Sequence, residues 1–426
     1  MVNTELNIPA ILGGPRAVTL DASAANRWPA ITGEEEKQVL AVLRHGDLSL
    51  HPVTRELEND YQNYFGVRHT LAHCNGTAAL MAAFFALGLK PGDEVLVPSA
   101  THWASVVPML WVGAVPIFCE SELERMGIDP RDAEKKITTR TRAIVIVHLW
   151  GMPSKMTELL ELARRHNLKI IEDASHAQGA TWRGRKCGTF GDVSVFSLQT
   201  SKLAPAGEGG MLLTDDDEIY ERAICFGDVM RIIELQSPAQ RLAATSFGLK
   251  TRMAPLSAAV AQVQLKHLDE RNARRNRNLE YLSRALDTLG FQTFLPPAHV
   301  ERVYFEFLIR CPNDMPMPVE TLVEALTAEG CEVDYPRYPL LHQQPLFTEG
   351  LFAEIGAFAG RRDLELPKYL PDALPTTQEG NKTLIKLPNF PFAEQALLQQ
   401  YVSAFQKVIG SADKIAQRAG VSAATS

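Results

Sequence analysis

The chain has 426 residues, beyond the length at which a single hydrophobic core keeps growing, so two domains are expected. Hydrophobic residues make up 46% and charged residues 22%, the balance of a soluble globular protein. A net charge of −7 argues against nucleic acid or an acidic membrane surface as the main partner, while leaving room for a small anionic substrate in a locally basic pocket.

Met1-Val-Asn-Thr-Glu lacks the basic-then-apolar pattern of a signal peptide, and no apolar run reaches the roughly 18 residues of a membrane span. The six cysteines (74, 119, 187, 225, 311 and 331) contain no CxxC pair, so neither a zinc site nor a disulfide framework is suggested. A cytoplasmic enzyme without a metal fits these features.

Along the chain, short apolar runs alternate with helical patterns. Ala78–Leu89 reads as a helix opened by Thr77, whose backbone amides make an anion site. Glu94-Val-Leu-Val-Pro-Ser99, Pro116-Ile-Phe, Ala143-Ile-Val-Ile-Val-His148 and Lys169-Ile-Ile-Glu-Asp173 read as buried strands, with Met156–His166 as a helix between the last two. This is the pattern of βαβ units in a mostly parallel sheet, where ligands collect at strand C-termini. Ser99, His148 and Asp173 sit at such ends.

After about residue 255 the pattern changes. Leu256–Leu289 reads as one long helix, followed by a strand at Tyr304–Arg310 and a helix at Pro318–Glu329. A loop-rich stretch over 350–383 precedes a last helix near Ala393–Ile409, and the tail Ser422–Ser426 reads as disordered. The expected division is a large cofactor domain over 1–265, with the N-terminal segment, and a small C-terminal domain over 266–426.

The most informative stretch is Phe196-Ser-Leu-Gln-Thr-Ser-Lys202-Leu-Ala-Pro-Ala-Gly-Glu-Gly-Gly210. A lysine between an apolar strand and a small-residue loop is partly desolvated, which lowers its pKa and frees the amine to attack a carbonyl. Schiff-base formation with pyridoxal 5'-phosphate (PLP) needs that chemistry. Asp173, about 30 residues upstream, supplies the acid that such an enzyme sets against the pyridinium nitrogen.

From about Trp28 to Leu387-Pro-Asn-Phe390-Pro the chain resembles the DegT/DnrJ/EryC1/StrS sugar aminotransferases, within fold-type I PLP enzymes. The motifs that carry the resemblance are Cys74-Asn-Gly-Thr77-Ala-Ala-Leu, Pro98-Ser-Ala-Thr-His102-Trp103-Ala-Ser, Val147-His-Leu-Trp-Gly151, Glu172-Asp173-Ala-Ser-His176-Ala-Gln-Gly-Ala, the Lys202 segment and Arg252-Met253, in the family's order. The fold this implies is α/β: an aspartate-aminotransferase-like large domain around a mostly parallel seven-stranded sheet, a smaller C-terminal α/β domain, and a homodimer with shared active sites.

The resemblance also implies roles. Lys202 is the Schiff-base lysine and proton carrier, and Asp173 pairs with the pyridinium nitrogen. His176 lies near the ring hydroxyl, in preference to Gln178. His102 stacks on the ring, although Trp103 beside it could take that place. Gly76, Thr77, Ser197 and Gln199 hold the phosphate. Lys250 stands where relatives carry an asparagine that reaches the neighbouring subunit's phosphate. Arg337 is a clamp for the donor's carboxylate and His342 a site histidine, while Phe390 replaces a histidine common in relatives.

The implied reaction moves an amino group from L-glutamate or L-glutamine to a keto-sugar, a nucleotide-linked keto-sugar or a keto-cyclitol. The alternative is a PLP lyase or dehydratase. Relatives that dehydrate carry histidine in place of the lysine, so the retained Lys202 favours transamination.

Overall fold

The computed structural model describes residues 7–361, 363–364 and 366–420. The readings at residues 1–5 and at the 422–426 tail lie outside that range. Seven strands form the central sheet: β1 (His69–His73), β2 (Glu94–Pro98), β3 (Val115–Cys119), β4 (Thr141–Val147), β5 (Lys169–Asp173), β6 (Val193–Ser197) and β7 (Gly210–Thr214). Their spatial order is β1-β7-β6-β5-β4-β2-β3. Strand β7 runs antiparallel to both of its neighbours, and all other pairings are parallel.

The inner strands are buried on both faces, so they read as unbroken apolar runs rather than alternating ones: Ala143–Ile146 are 0% exposed. Helix Gly76–Ala86 packs across this sheet. Its alanines allow close approach, and the Asn75 side chain caps it by accepting from the Ala78 amide at 2.8 Å. The first helical residue is therefore Gly76, one position ahead of the expected Thr77.

The C-terminal lobe is built on a two-stranded antiparallel ribbon, Phe307–Arg310 against Leu384–Leu387, and helices including Leu268–Asp287, Val319–Ala328 and Gln395–Ile409. Two features depart from expectation. The single helix over 256–289 is two, Pro255–Lys266 and Leu268–Asp287, broken at His267 (φ −100°, ψ 6°). Glu34 approaches both Lys266 and His267 there, and Leu268 turns fully into the core.

Packing also divides the chain differently from 1–265 and 266–426. Val18, Ala22 and Ala25 belong to the core of the C-terminal lobe, whereas Phe347, Phe352, Phe358 and Tyr369 belong to that of the sheet. The N-terminal segment is held by Glu329, whose buried carboxylate accepts from the amides of Ala10 (2.7 Å) and Ala17 (2.8 Å) and pairs with Lys407 at 2.9 Å. Among the described residues, no helix is long and apolar enough to cross a membrane.

Candidate active site

A cavity of about 740 Å³ opens beyond the C-terminal ends of β4, β5 and β6. Of the residues named from sequence, Gly76, Thr77, His102, Asp173, His176, Ser197, Gln199, Lys202 and Arg337 all line it. Parallel strands deliver their last residues to one edge, and that topology is what gathers residues so far apart in the chain.

Asp173 ends β5 and is 6% exposed. The Ser105 hydroxyl donates to Asp173 Oδ2 at 2.6 Å and the Ser175 amide to Oδ1 at 3.1 Å, which fixes the carboxylate plane. His176 is buried, stacked at 4.1 Å on the Phe305 ring, with Nε2 3.4 Å from the Tyr338 hydroxyl. Burial holds its pKa well below the usual histidine value, with the Lys202 charge acting the same way, so the ring is neutral. Gln178 faces into the protein: its Oε1 accepts from the Ala204 amide at 2.9 Å and its Nε2 lies 3.3 Å from the Tyr61 hydroxyl.

Lys202 is 8% exposed, and its Nζ sits 4.2 Å over the Phe305 ring. Burial lowers its pKa to about 8, and the opposing charges of Asp173 and Glu306 restore only part of the loss. The backbone at this point is pinned from outside the loop: Trp28 Nε1 donates to the Lys202 carbonyl at 2.9 Å.

At the other wall, the helix that begins at Gly76 meets β6. A Cβ on Gly76 would lie 2.7 Å from Ser197 Cβ, and one on Gly210 would lie 2.4 Å from the Asn75 carbonyl oxygen, so both positions need glycine for the backbones to approach. The result is a cradle of helix N-terminal amides with the Thr77 and Ser197 side chains at the cavity. Gln199 lines it too, with its Oε1 accepting from the Ser201 amide (2.8 Å) and hydroxyl (2.7 Å). An anion cradle, a buried carboxylate and a desolvated lysine in one cavity fit PLP, the group that the resemblance implies.

Residues 29–360 match the DegT/DnrJ/EryC1/StrS aminotransferase family. The chain belongs to this family. It is similar to the GDP-perosamine synthase of Caulobacter vibrioides, with 35% identity over 74% of this chain and 84% of that one. It is also similar to the L-glutamine:scyllo-inosose aminotransferase of Streptomyces griseus, with 36% identity over 78% and 81%. Among solved structures, S. venezuelae DesV superposes with a TM-score of 0.76 at 30% identity, over 93% of this chain and 99% of that one. The protein is an aminotransferase.

Three residues of this family member do not sit where a single cavity would gather them. Lys250 lies on an exposed loop with Phe247 and Leu249, outside the cavity of its own chain. His342, expected at the site, is instead 1% exposed and does not line the cavity. Its Nδ1 lies 2.6 Å from the Ser99 hydroxyl and its Nε2 3.2 Å from the Pro371 carbonyl, so both nitrogens serve the fold. Phe390 is fully buried, and it is Asn389 beside it that lines a neighbouring chamber.

Both rings that the sequence offered for stacking reach the cavity. His102 is part-buried, its Nδ1 accepting from the Ala104 amide at 3.2 Å, and Trp103 is 48% exposed with its ring 5.2 Å from the imidazole; both line the cavity. Sequence reading assigned no role to Ser105, Ser175 or Tyr338. Ser105 closes the His102-Trp103-Ala-Ser motif, two positions past the neighbouring ring, and that motif was the available signal.

Proposed function

We propose that the protein uses PLP to move the amino group of L-glutamate or L-glutamine onto the ketone of a sugar, a nucleotide-linked sugar or a cyclitol. The observation that carries this reading is the meeting of Lys202, Asp173 and the Gly76–Ser197 cradle in one cavity. Bound there, PLP supplies an electron sink and a temporary carrier for the amino group. Asp173, oriented by Ser105 and Ser175, is the residue that would hold a proton on the ring nitrogen. Lys202 is the residue that would hold the cofactor covalently and, once displaced by the donor, moves the proton at the reacting carbon. Burial makes its free amine available near pH 8.

His102 and His176, whose burial lowers their pKa, would line the bound cofactor without adding charge, and Arg337 would take the donor's α-carboxylate. Similarity to an L-glutamine:scyllo-inosose aminotransferase and to GDP-perosamine synthase supports a polyhydroxylated ketone as acceptor. The exposed Phe247 and Leu249 beside Lys250 support a homodimer in which Lys250 reaches the partner's cofactor phosphate. Six free cysteines support a reducing, cytoplasmic setting.

The test is turnover of the PLP-loaded protein with L-glutamine or L-glutamate and a panel of keto-sugars and inososes. One 2-oxo acid released per amine formed is the expected result. Product without stoichiometric 2-oxo acid would mean a lyase or dehydratase and overturn the proposal. Borohydride reduction followed by peptide mapping should find the cofactor on Lys202.

A further inference from the structure

A second chamber of about 730 Å³ adjoins the cavity and shares Ser201 and Arg337 with it. Its charged lining residues are Glu306, Glu332 and Asp334 against Arg275, Arg337 and Lys386, three acids to three bases. Such a wall offers no surplus of positive charge to a diphosphate. It does offer hydrogen-bonding groups at several angles, which suits a neutral polyol.

Glu306 is the unusual member. It is 3% exposed, yet neither carboxylate oxygen receives a directed hydrogen bond. Arg337 Nε lies 3.0 Å from Glu306 Oε1, a charge contact without hydrogen-bond geometry. Burial pushes the Glu306 carboxyl pKa up, against the pull of Arg337. A buried acceptor with free lone pairs is costly unless a ligand fills them.

We infer that Glu306 is the residue that recognises the acceptor, taking hydrogen bonds from the hydroxyls of an uncharged keto-cyclitol seated in this chamber. The inference rests on the aminotransferase reading above and adds a consequence for the two half-reactions, which pass through one site in turn. The donor brings a carboxylate that draws Arg337 away from Glu306. The acceptor brings none, so Arg337 returns to Glu306 and neutralises it while its oxygens accept from hydroxyls. One ion pair thereby accommodates an anionic and a neutral substrate.

The isosteric Glu306→Gln variant separates this role from a merely structural one. With scyllo-inosose as acceptor and L-glutamine as donor, kcat/KM for the acceptor should fall on the order of ten- to a hundredfold, the loss expected for hydrogen bonds to a charged group. The donor's KM should move the other way and fall, because Arg337 no longer has a competing partner. Calorimetric titration of scyllo-inositol, which has no ketone to react, should show the same weakened binding without turnover. Glu306→Asp should restore part of the acceptor kcat/KM. Parallel loss of both half-reactions, or an unchanged acceptor kcat/KM, would overturn the role of Glu306. A wild-type protein that accepts nucleotide-linked keto-sugars and no inosose would overturn the acceptor class, with transamination itself intact.

Discussion

Ser105 and Asp173 meet across a 2.6 Å hydrogen bond although they are carried by different crossovers, one after β2 and the other at the end of β5. The hydroxyl donates to Oδ2 and so fixes the plane of the carboxyl group. Thr101 Oγ1, 3.0 Å from Ser105 Oγ, continues the chain of hydroxyls along the cavity wall.

Asp173→Asn should lower kcat by at least about a hundredfold with the fold unchanged. Removing one partner of a buried charge pair costs on the order of 3–5 kcal/mol. Ser105→Ala removes a hydrogen bond to a charged group, worth about 1.5–3 kcal/mol, and should cause a smaller loss in the same direction. Steady-state kinetics of both variants at saturating PLP, with circular dichroism as the fold control, check the ranking. Equal losses from both would contradict it.

Lys202 gives a pH dependence with a definite sign. Its pKa falls from 10.5 to about 8 because burial penalises the ammonium. The rate at which cofactor-free protein captures added PLP should rise with pH through about 8 and then level off, following the free amine. In stability terms the folded state sheds this proton more readily than the unfolded chain. The buried lysine is therefore most costly below about pH 8, and the cost is relieved as pH climbs from there towards 10.5. Denaturant unfolding of the cofactor-free protein and of Lys202→Met across this window should differ by that slope; superimposable curves would argue against it.

Gly76→Ala should impair both stability and cofactor retention. Its added methyl group would lie 2.7 Å from Ser197 Cβ and 3.1 Å from Ser197 Cα, and β6 has little freedom to yield. Overpacking of this kind costs about 1–3 kcal/mol. Dialysis of the loaded variant should release PLP faster than wild type, and Ser197→Gly in the same chain should recover part of the lost stability, read by denaturant unfolding of the cofactor-free protein.

Lys250 is best tested by complementation. Lys202→Ala and Lys250→Ala protomers are each expected to be inactive as homodimers. If Lys250 serves its neighbour, each mixed dimer has one site damaged at both positions and one intact, so activity should reappear on subunit exchange. Absence of recovery, with both variants folded and dimeric, would return Lys250 to its own surface.

Much of the fold was legible because strands buried on both faces must be apolar throughout, and β4 and β5 announce themselves that way. Asp173 could be named from its place at a strand end, and Lys202 from its setting between an apolar strand and a small-residue loop together with the family motifs. Hydrogen-bond commitments were not legible. Whether His342 faced the cavity depended on Ser99 and Pro371, residues 243 and 29 positions away. The break at His267 falls beside a contact to Glu34, 233 positions away. The N-terminal segment's loyalty to the C-terminal lobe depended on the carboxylate of Glu329. Periodicity reports which face of an element is buried and is silent about partners so distant in sequence.

The indole of Trp28 gives the lysine loop a tether whose far end is anchored in the other lobe. Three positions upstream, Ala25 is packed among the C-terminal helices, and the Ala25 carbonyl accepts from the Phe392 amide at 3.0 Å. Swinging that lobe outward would tension a strand of chain only a few residues long, and the load would arrive at the carbonyl of Lys202. Residues 25–28 are thus a short stretch of chain linking the packing of the C-terminal lobe to the carbonyl of Lys202.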